Sequence, residues 1–187
     1  MLNNKSVVTG ILGLGLAALP AFAEKASAPM AYPDRRAFFE TLVETLPGRW
    51  DAQYADGSYD NPTSEWRPTR VDYYVTSGGT ALVENYVGSD EGVYMTTVYH
   101  LDNNDIRATH YCGARNHPSM MSRAFDADTR TLSLAFVGVS NLESPDSYHS
   151  RDIELSLVDE DNVHVTFFGL QDGKENSRVF ALKRVSK

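Results

Sequence analysis

The sequence predicts an all-β protein: a closed, antiparallel, up-and-down barrel of about ten strands preceded by one amphipathic helix. Three observations carry that prediction. From Gly48 onward, runs rich in β-branched and aromatic residues cover 49–55, 65–76, 80–87, 93–101, 106–112, 120–126, 131–138, 151–158, 163–169 and 177–184. The breaks between them are short and built of turn residues, among them Asp56-Gly57, Ser77-Gly78-Gly79, Gly88-Ser89-Asp90 and Asp172-Gly173, which favours antiparallel neighbours. An open sheet of that many strands leaves two unpaired edges, and closure removes both. A two-sheet sandwich is the principal rival. No internal repeat or low-complexity stretch divides the chain.

The elements follow in order. Lys5 is the only charged residue before Glu24, Val7 to Leu19 is an apolar run, and Ala21-Phe22-Ala23 offers small residues at a cleavage position. Residues 1–23 are therefore expected to be a secretory signal peptide, cut near Ala23-Glu24, which places the mature chain in the periplasm or outside the cell. The apolar run is too short to span a bilayer comfortably, so no stable membrane insertion is expected after cleavage. Residues 24–33 read as a flexible leader, and 34–187 as a single domain. Asp34 is placed to cap a helix whose apolar positions, Phe38, Phe39, Leu42, Val43 and Leu46, fall on one face. Pro47-Gly48 ends it.

Charge narrows the function classes. The chain carries 17 Lys and Arg against 25 Asp and Glu, a formal net charge of −8, which argues against nucleic acid as a partner. A single cysteine, Cys112, leaves no intrachain disulfide.

The stretch 93–121 is the richest in chemistry. With Asn103-Asn104 as a hairpin turn, Asp102 faces Asp105, Tyr99 faces Ala108, Thr97 faces His110 and Met95 faces Cys112. One face then carries Met95, Thr97, Tyr99, Leu101, Ile106, Ala108, His110 and Cys112. The other carries His100 and Arg107 and is read as the solvent side. Along the eighth strand Ile153, Leu155 and Leu157 point inward, and the same parity carried back brings His149 to the lumen mouth. Glu84 and Glu65 are interior candidates whose parity is ambiguous, and a solvated face is the expectation for both. At least half of the tyrosines Tyr73, Tyr74, Tyr86, Tyr94 and Tyr99 are expected on the outer wall. Asn116-His117-Pro118 reads as a rim loop.

Three chemistries fit these residues. His110, Cys112 and His149, with Met95 opposite, would be soft ligands for a transition metal or for haem. A Cys–His pair can act as nucleophile and base, but same-face neighbours on a strand are roughly 6–7 Å apart at Cα, and no third member is evident. Otherwise Cys112 is a small buried hydrophobe and His110 a hydrogen-bonded polar group in the lumen, or the pair is a polar anchor for an organic ligand. The expected function is an exported barrel holding a small, largely apolar molecule in its lumen, with His110, Cys112 and His149 orienting it and Tyr99 and Met95 in the wall.

Gly48-x-Trp50 after a short helix, followed by consecutive antiparallel strands, resembles the lipocalin and calycin superfamily. That resemblance implies that Trp50 closes the barrel base with Arg184 of the last strand packed over it as a cation–π partner. A helix with ten strands is more similar to the fatty-acid-binding and nitrobindin branches than to eight-stranded lipocalins. A nearer likeness, over roughly Phe38 to Arg184, is to an uncharacterised, often exported bacterial family. It rests on Thr97-Val98-Tyr99-His100-Leu101-Asp102, Thr109-His110-Tyr111-Cys112 and Asn116-x-Pro118, with His149 and Asp172-Gly173-Lys174 also fitting. His117 stands where that pattern has glutamine. The resemblance brings no established activity, and no motif aligns with nitrobindin's haem histidine.

Overall fold

The computed structural model describes residues 32–185, so the expected signal segment and nearly all of the leader lie outside the described residues. Helix α1 (Tyr32–Thr45) is followed by β1 (Gly48–Asp56), β2 (Arg67–Thr76), β3 (Ala81–Val87), β4 (Val93–Asp102) and β5 (Asp105–Tyr111). The second half contributes β6 (His117–Asp126), β7 (Thr131–Ser140), β8 (His149–Leu157), β9 (Asn162–Gln171) and β10 (Lys174–Arg184). Each strand pairs antiparallel with its chain neighbours, and β1 pairs with β10 as well as β2, closing a ten-stranded barrel. That closure removes the sandwich alternative. The helix begins at Tyr32, two residues ahead of the expected cap at Asp34.

The β4–β5 hairpin has the register its turn predicts. Asp102 pairs with Asp105, Tyr99 with Ala108 and Thr97 with His110, and Asn103 takes a left-handed φ of 54°. β6, however, starts at His117 rather than at 120. Pro118 is tolerated there because it pairs only with Val139 of β7, while the ladder to β5 begins at Ser119 opposite Thr109. The supposed rim loop is thus partly strand.

One end of the barrel is shut. Phe38, Phe39 and Leu42 of α1, with Leu46 just beyond it, are buried on the lumen's apolar layer of Trp50, Val71, Leu82, Ile106, Leu132 and Leu155. Fully burying side chains of this size is worth about 1.5–3 kcal/mol each, which is why a helix of modest length stays docked. Phe38 lies 4.4 Å from Phe125 between ring centroids, and Arg35 of the helix pairs with Asp105 at the hairpin tip. Trp50 is fully buried and donates its indole N–H to the Leu46 carbonyl at 2.9 Å. Arg184, directly across from Trp50 on β10, places its guanidinium 4.2 Å from the indole centroid and donates to the carbonyls of Thr45 and Glu160. One side chain therefore covers the tryptophan and satisfies a carbonyl at the helix C-terminus.

Candidate functional site

The other end is open, and its polar groups descend from the rim to the barrel's middle. A row crosses four adjacent strands at one level: Tyr73 of β2 pairs with Glu84 of β3, Glu84 with Thr97 of β4, and Thr97 with His110 of β5. Directly paired residues share a face, so all four point inward. Glu84 is 0% exposed, against the expectation of a solvated position, whereas Glu65 is exposed. The signal was weak because both faces of β3 are largely apolar. Leu82 and Tyr86 flank Glu84 on one face, Val83 and Val87 occupy the other, and all four are buried.

Among the described residues Glu84 has no cationic partner, and it is held by hydroxyl groups. Tyr73 and Tyr86 donate to its Oε1, the latter at 3.0 Å; Tyr99 donates to Oε2 at 2.9 Å. Thr97, directly across from Glu84 on β4, has its hydroxyl within hydrogen-bond distance of His110. Burial pushes the carboxyl above its ordinary 4.5, and the hydroxyl donors pull it back down. Burial and the nearby carboxylate push all three phenols well above 10, which keeps them protonated as donors. Three of the five tyrosines of these strands thus face inward, while Tyr74 and Tyr94 are exposed. The inward majority departs from the expectation that at least half lie on the outer wall, because one buried carboxyl group gives three phenols a shared partner inside.

His110 ends the row. Its Nδ1 lies 2.9 Å from Thr97 Oγ1, and burial lowers its pKa from 6.5 to about 4, so the ring is neutral at neutral pH. Beside it lies a cavity of about 210 Å³, walled by Met95, Phe167 and Phe180 and rimmed by Cys112, Tyr148 and Arg178. Phe167 meets the His110 ring at 4.7 Å, and Tyr86, Phe167 and Phe180 form an aromatic floor with centroids 4.5–5.9 Å apart. At the rim, Arg178 is held by Asp56 at 2.7 Å. Cys112 is part-buried, and burial raises its thiol pKa, which disfavours the thiolate that a nucleophile or metal ligand requires.

His149 does not join this group. A bulge at Arg151 shifts the β8–β9 register, so Ser150 pairs with inward-facing Gly169 and His149 with outward-facing Leu170. The parity that places Ile153, Leu155 and Leu157 inward does not survive the extra residue. His149 instead lies 5.7 Å from Phe136, with Nδ1 3.0 Å from the Ser147 carbonyl, and Ser150 lines the cavity in its place. The three expected metal ligands therefore do not converge, and among the described residues no three His, Cys, Asp or Glu side chains group as a metal site requires. Tyr99 faces inward but belongs to the carboxylate cluster, outside the cavity wall.

Sequence reasoning also missed Tyr148, Arg178 and Gly169. Tyr148 lies against Gly169, where an added Cβ would meet its ring at 2.7 Å. A glycine in the middle of a strand is the one signal that pointed there. Asn116 fastens the mouth by donating Nδ2–H to the Tyr148 carbonyl at 2.6 Å, while its backbone carbonyl accepts from the Cys112 N–H at 3.0 Å. A polar hollow of about 660 Å³ on the rim shares Tyr148 and Arg178 with the cavity and offers the way in. A third hollow, of about 700 Å³, lies on the outer wall, but its aromatic rings occupy one another: Tyr59 stacks on His164 at 3.9 Å and meets Trp66 edge-on at 5.8 Å.

No protein-family model and no curated protein matches the chain. Among solved structures it is similar to a protein of unknown function from the DUF3598 family of Nostoc punctiforme, at 12% identity and a TM-score of 0.43, over 76% of this chain and 48% of that one. The chain thus spans about half the length of that protein. It is also similar to a redesigned β barrel (11% identity, TM-score 0.34, 78% and 96% covered) and to EF1p2_mFAP2b bound to DFHBI (9% identity, TM-score 0.37, 79% and 99% covered). Likenesses this distant carry no argument about function, and the barrel rests on its own strand register.

Proposed function

We propose that this chain is an exported, calycin-like binding barrel that takes a small, largely apolar molecule into the mouth cavity beside His110. The observation that supports this reading is the cavity itself: apolar on Met95, Phe167 and Phe180, polar at His110, Cys112 and Ser150, and about 210 Å³ in volume. A cavity of about 150 Å³ accepts benzene and drug-sized pockets begin near about 300 Å³, so the ligand is one ring or a short chain. Haem exceeds that space. The reading as a Cys–His enzyme is disfavoured by the raised thiol pKa at Cys112. Among the described residues no helix is long and apolar enough to cross a membrane.

Native mass spectrometry of protein purified from its own host tests the reading. The expected result is a bound mass of single-ring size that is lost on unfolding and absent from Met95→Trp, which fills the cavity. The same spectrum is expected to give an N-terminus near Glu24. A protein that carries no adduct and binds no member of a panel of one-ring fragments would not be a carrier of this kind.

A further inference from the structure

We infer that the cavity takes its ligand as an anion: a one-ring carboxylic acid, with the ring between Met95, Phe167 and Phe180 and the carboxylate at the rim on the guanidinium of Arg178. This rests on the ligand-binding reading above and names the class of ligand. Of the residues that line the cavity, Arg178 alone is charged. His110 and Cys112 stay neutral at neutral pH, because burial lowers the first and raises the second, and burial raises the Tyr148 phenol as well. A cationic ligand would find no counter-charge there. An uncharged ring would leave the guanidinium to water.

Arg178 pairs with Asp56 of β1 and lies two residues before Phe180 on β10, so it shares that ring's inward face. It lines both the cavity and the polar hollow through which a ligand arrives. A guanidinium has more N–H donors than one carboxylate oxygen can take. Asp56 accepts on Oδ1 alone, from Nε at 2.8 Å and Nη2 at 2.7 Å, and among the described residues Nη1 has no hydrogen-bond partner. The pair is 45% and 41% exposed; an ion pair so open to water is weak, so Asp56 shares the guanidinium at little cost. Arg67 of β2, paired with Tyr54, adds a second guanidinium on the same face. It stands 4.5 Å from the Tyr54 ring centroid and reaches Asp56 only at 3.8 Å. Two cations thus share one carboxylate at this edge, which leaves an excess of one positive charge. Glu175, the other acidic residue beside the hollow, pairs with outward-facing Leu170 and so stands on the outer wall. An arginine fork binds a carboxylate through charge-assisted hydrogen bonds, which are stronger than those it makes to a neutral acceptor. Tyr54 stacks on Phe180 at 5.5 Å and so carries the apolar surface from the guanidinium to the aromatic floor, where one molecule meets both.

Calorimetric titration with 4-nitrobenzoate and with its uncharged counterpart of the same shape, 4-nitrobenzamide, tests this separately from the carrier reading. At neutral pH and low salt the acid is expected to bind about tenfold tighter than the amide. That advantage is expected to shrink as salt is raised and to disappear in Arg178→Gln. Asp56→Asn removes the competing carboxylate and is expected to widen the ratio of acid to amide affinity. A gain of this kind does not come from general loosening of the rim, and it keeps the test open if Arg178→Gln does not fold. Met95→Trp is expected to abolish binding of both compounds, which ties the ring to this cavity. Equal affinity for acid and amide in the wild type overturns the inference and leaves a carrier without this selectivity. An acid preference that survives Arg178→Gln or Met95→Trp, or one that falls in Asp56→Asn, also overturns it. Binding of neither compound overturns the carboxylate preference, and with an empty native spectrum it removes the carrier reading as well.

Discussion

The two ends of this barrel meet the same demand, filling a closed sheet's interior, by opposite means. The base is apolar and sealed: Trp50 is buried, Arg184 covers it, and α1 closes the opening. Trp50 and Arg184 donate to backbone carbonyls there, and Arg35 pairs with Asp105 at the edge. The mouth half keeps a carboxylate, four hydroxyls and an imidazole inside, and it leaves a cavity next to them. Burying an unpaired carboxylate costs several kcal/mol, and hydroxyl donors offset that only while all of them are present. Stability is concentrated at the base, and the polar half is retained at a cost to it.

The largest effect expected from breaking that contrast is at the base. Trp50→Ala removes a fully buried indole and is expected to cost about 3–5 kcal/mol in urea denaturation. The next is acid sensitivity of the mouth half. His110 has a folded pKa of about 4 against an ordinary 6.5, so the unfolded chain takes up a proton first as pH falls. Stability is expected to drop by about 3 kcal/mol between pH 6.5 and 4, and His110→Phe removes that drop from the stability–pH curve. Glu84 acts with the opposite sign: its raised pKa means the folded state binds the proton first above 4.5, so acid favours the fold through this group. The His110 slope is accordingly expected to be steeper in Glu84→Gln than in the wild type.

Within the polar half, Tyr99→Phe deletes one donor to the buried carboxylate and is expected to cost about 1–3 kcal/mol by chemical denaturation. The loss is expected to shrink in combination with Glu84→Gln, as a double-mutant cycle would show. Arg184→Ala gives up the indole contact and the helix-end hydrogen bonds, for about 1–2 kcal/mol. The smallest effect on stability is at Cys112, which is part-buried at the rim. Cys112→Ser is expected to change stability by under about 1 kcal/mol while altering the occupant of the cavity, and the wild-type thiol is expected to alkylate slowly at neutral pH.

The extent of sequence legibility differs between the two ends for a physical reason. The base was legible: the helix face and the turn at Asn103-Asn104 follow from local periodicity and turn chemistry, and that turn's register also carries the pairing of Thr97 with His110 into the mouth half. His149 was misplaced because one extra residue at Arg151 inverts every side chain before it, and nothing nearby in the sequence announces a bulge. Glu84 was undecided because the β3–β4 ladder shifts register between Tyr86 and Val87, so the turn does not fix which face meets Thr97.

By itself, then, the sequence determined the ten strands, their order and one hairpin's register, since these depend on residues a few positions apart. Only the closed tertiary structure decided that Tyr73, Glu84, Thr97 and His110 stand in one row, because their alignment is set by strand stagger around the whole barrel. The same closure turned a solvated-looking glutamate into a buried carboxyl group held by three phenols.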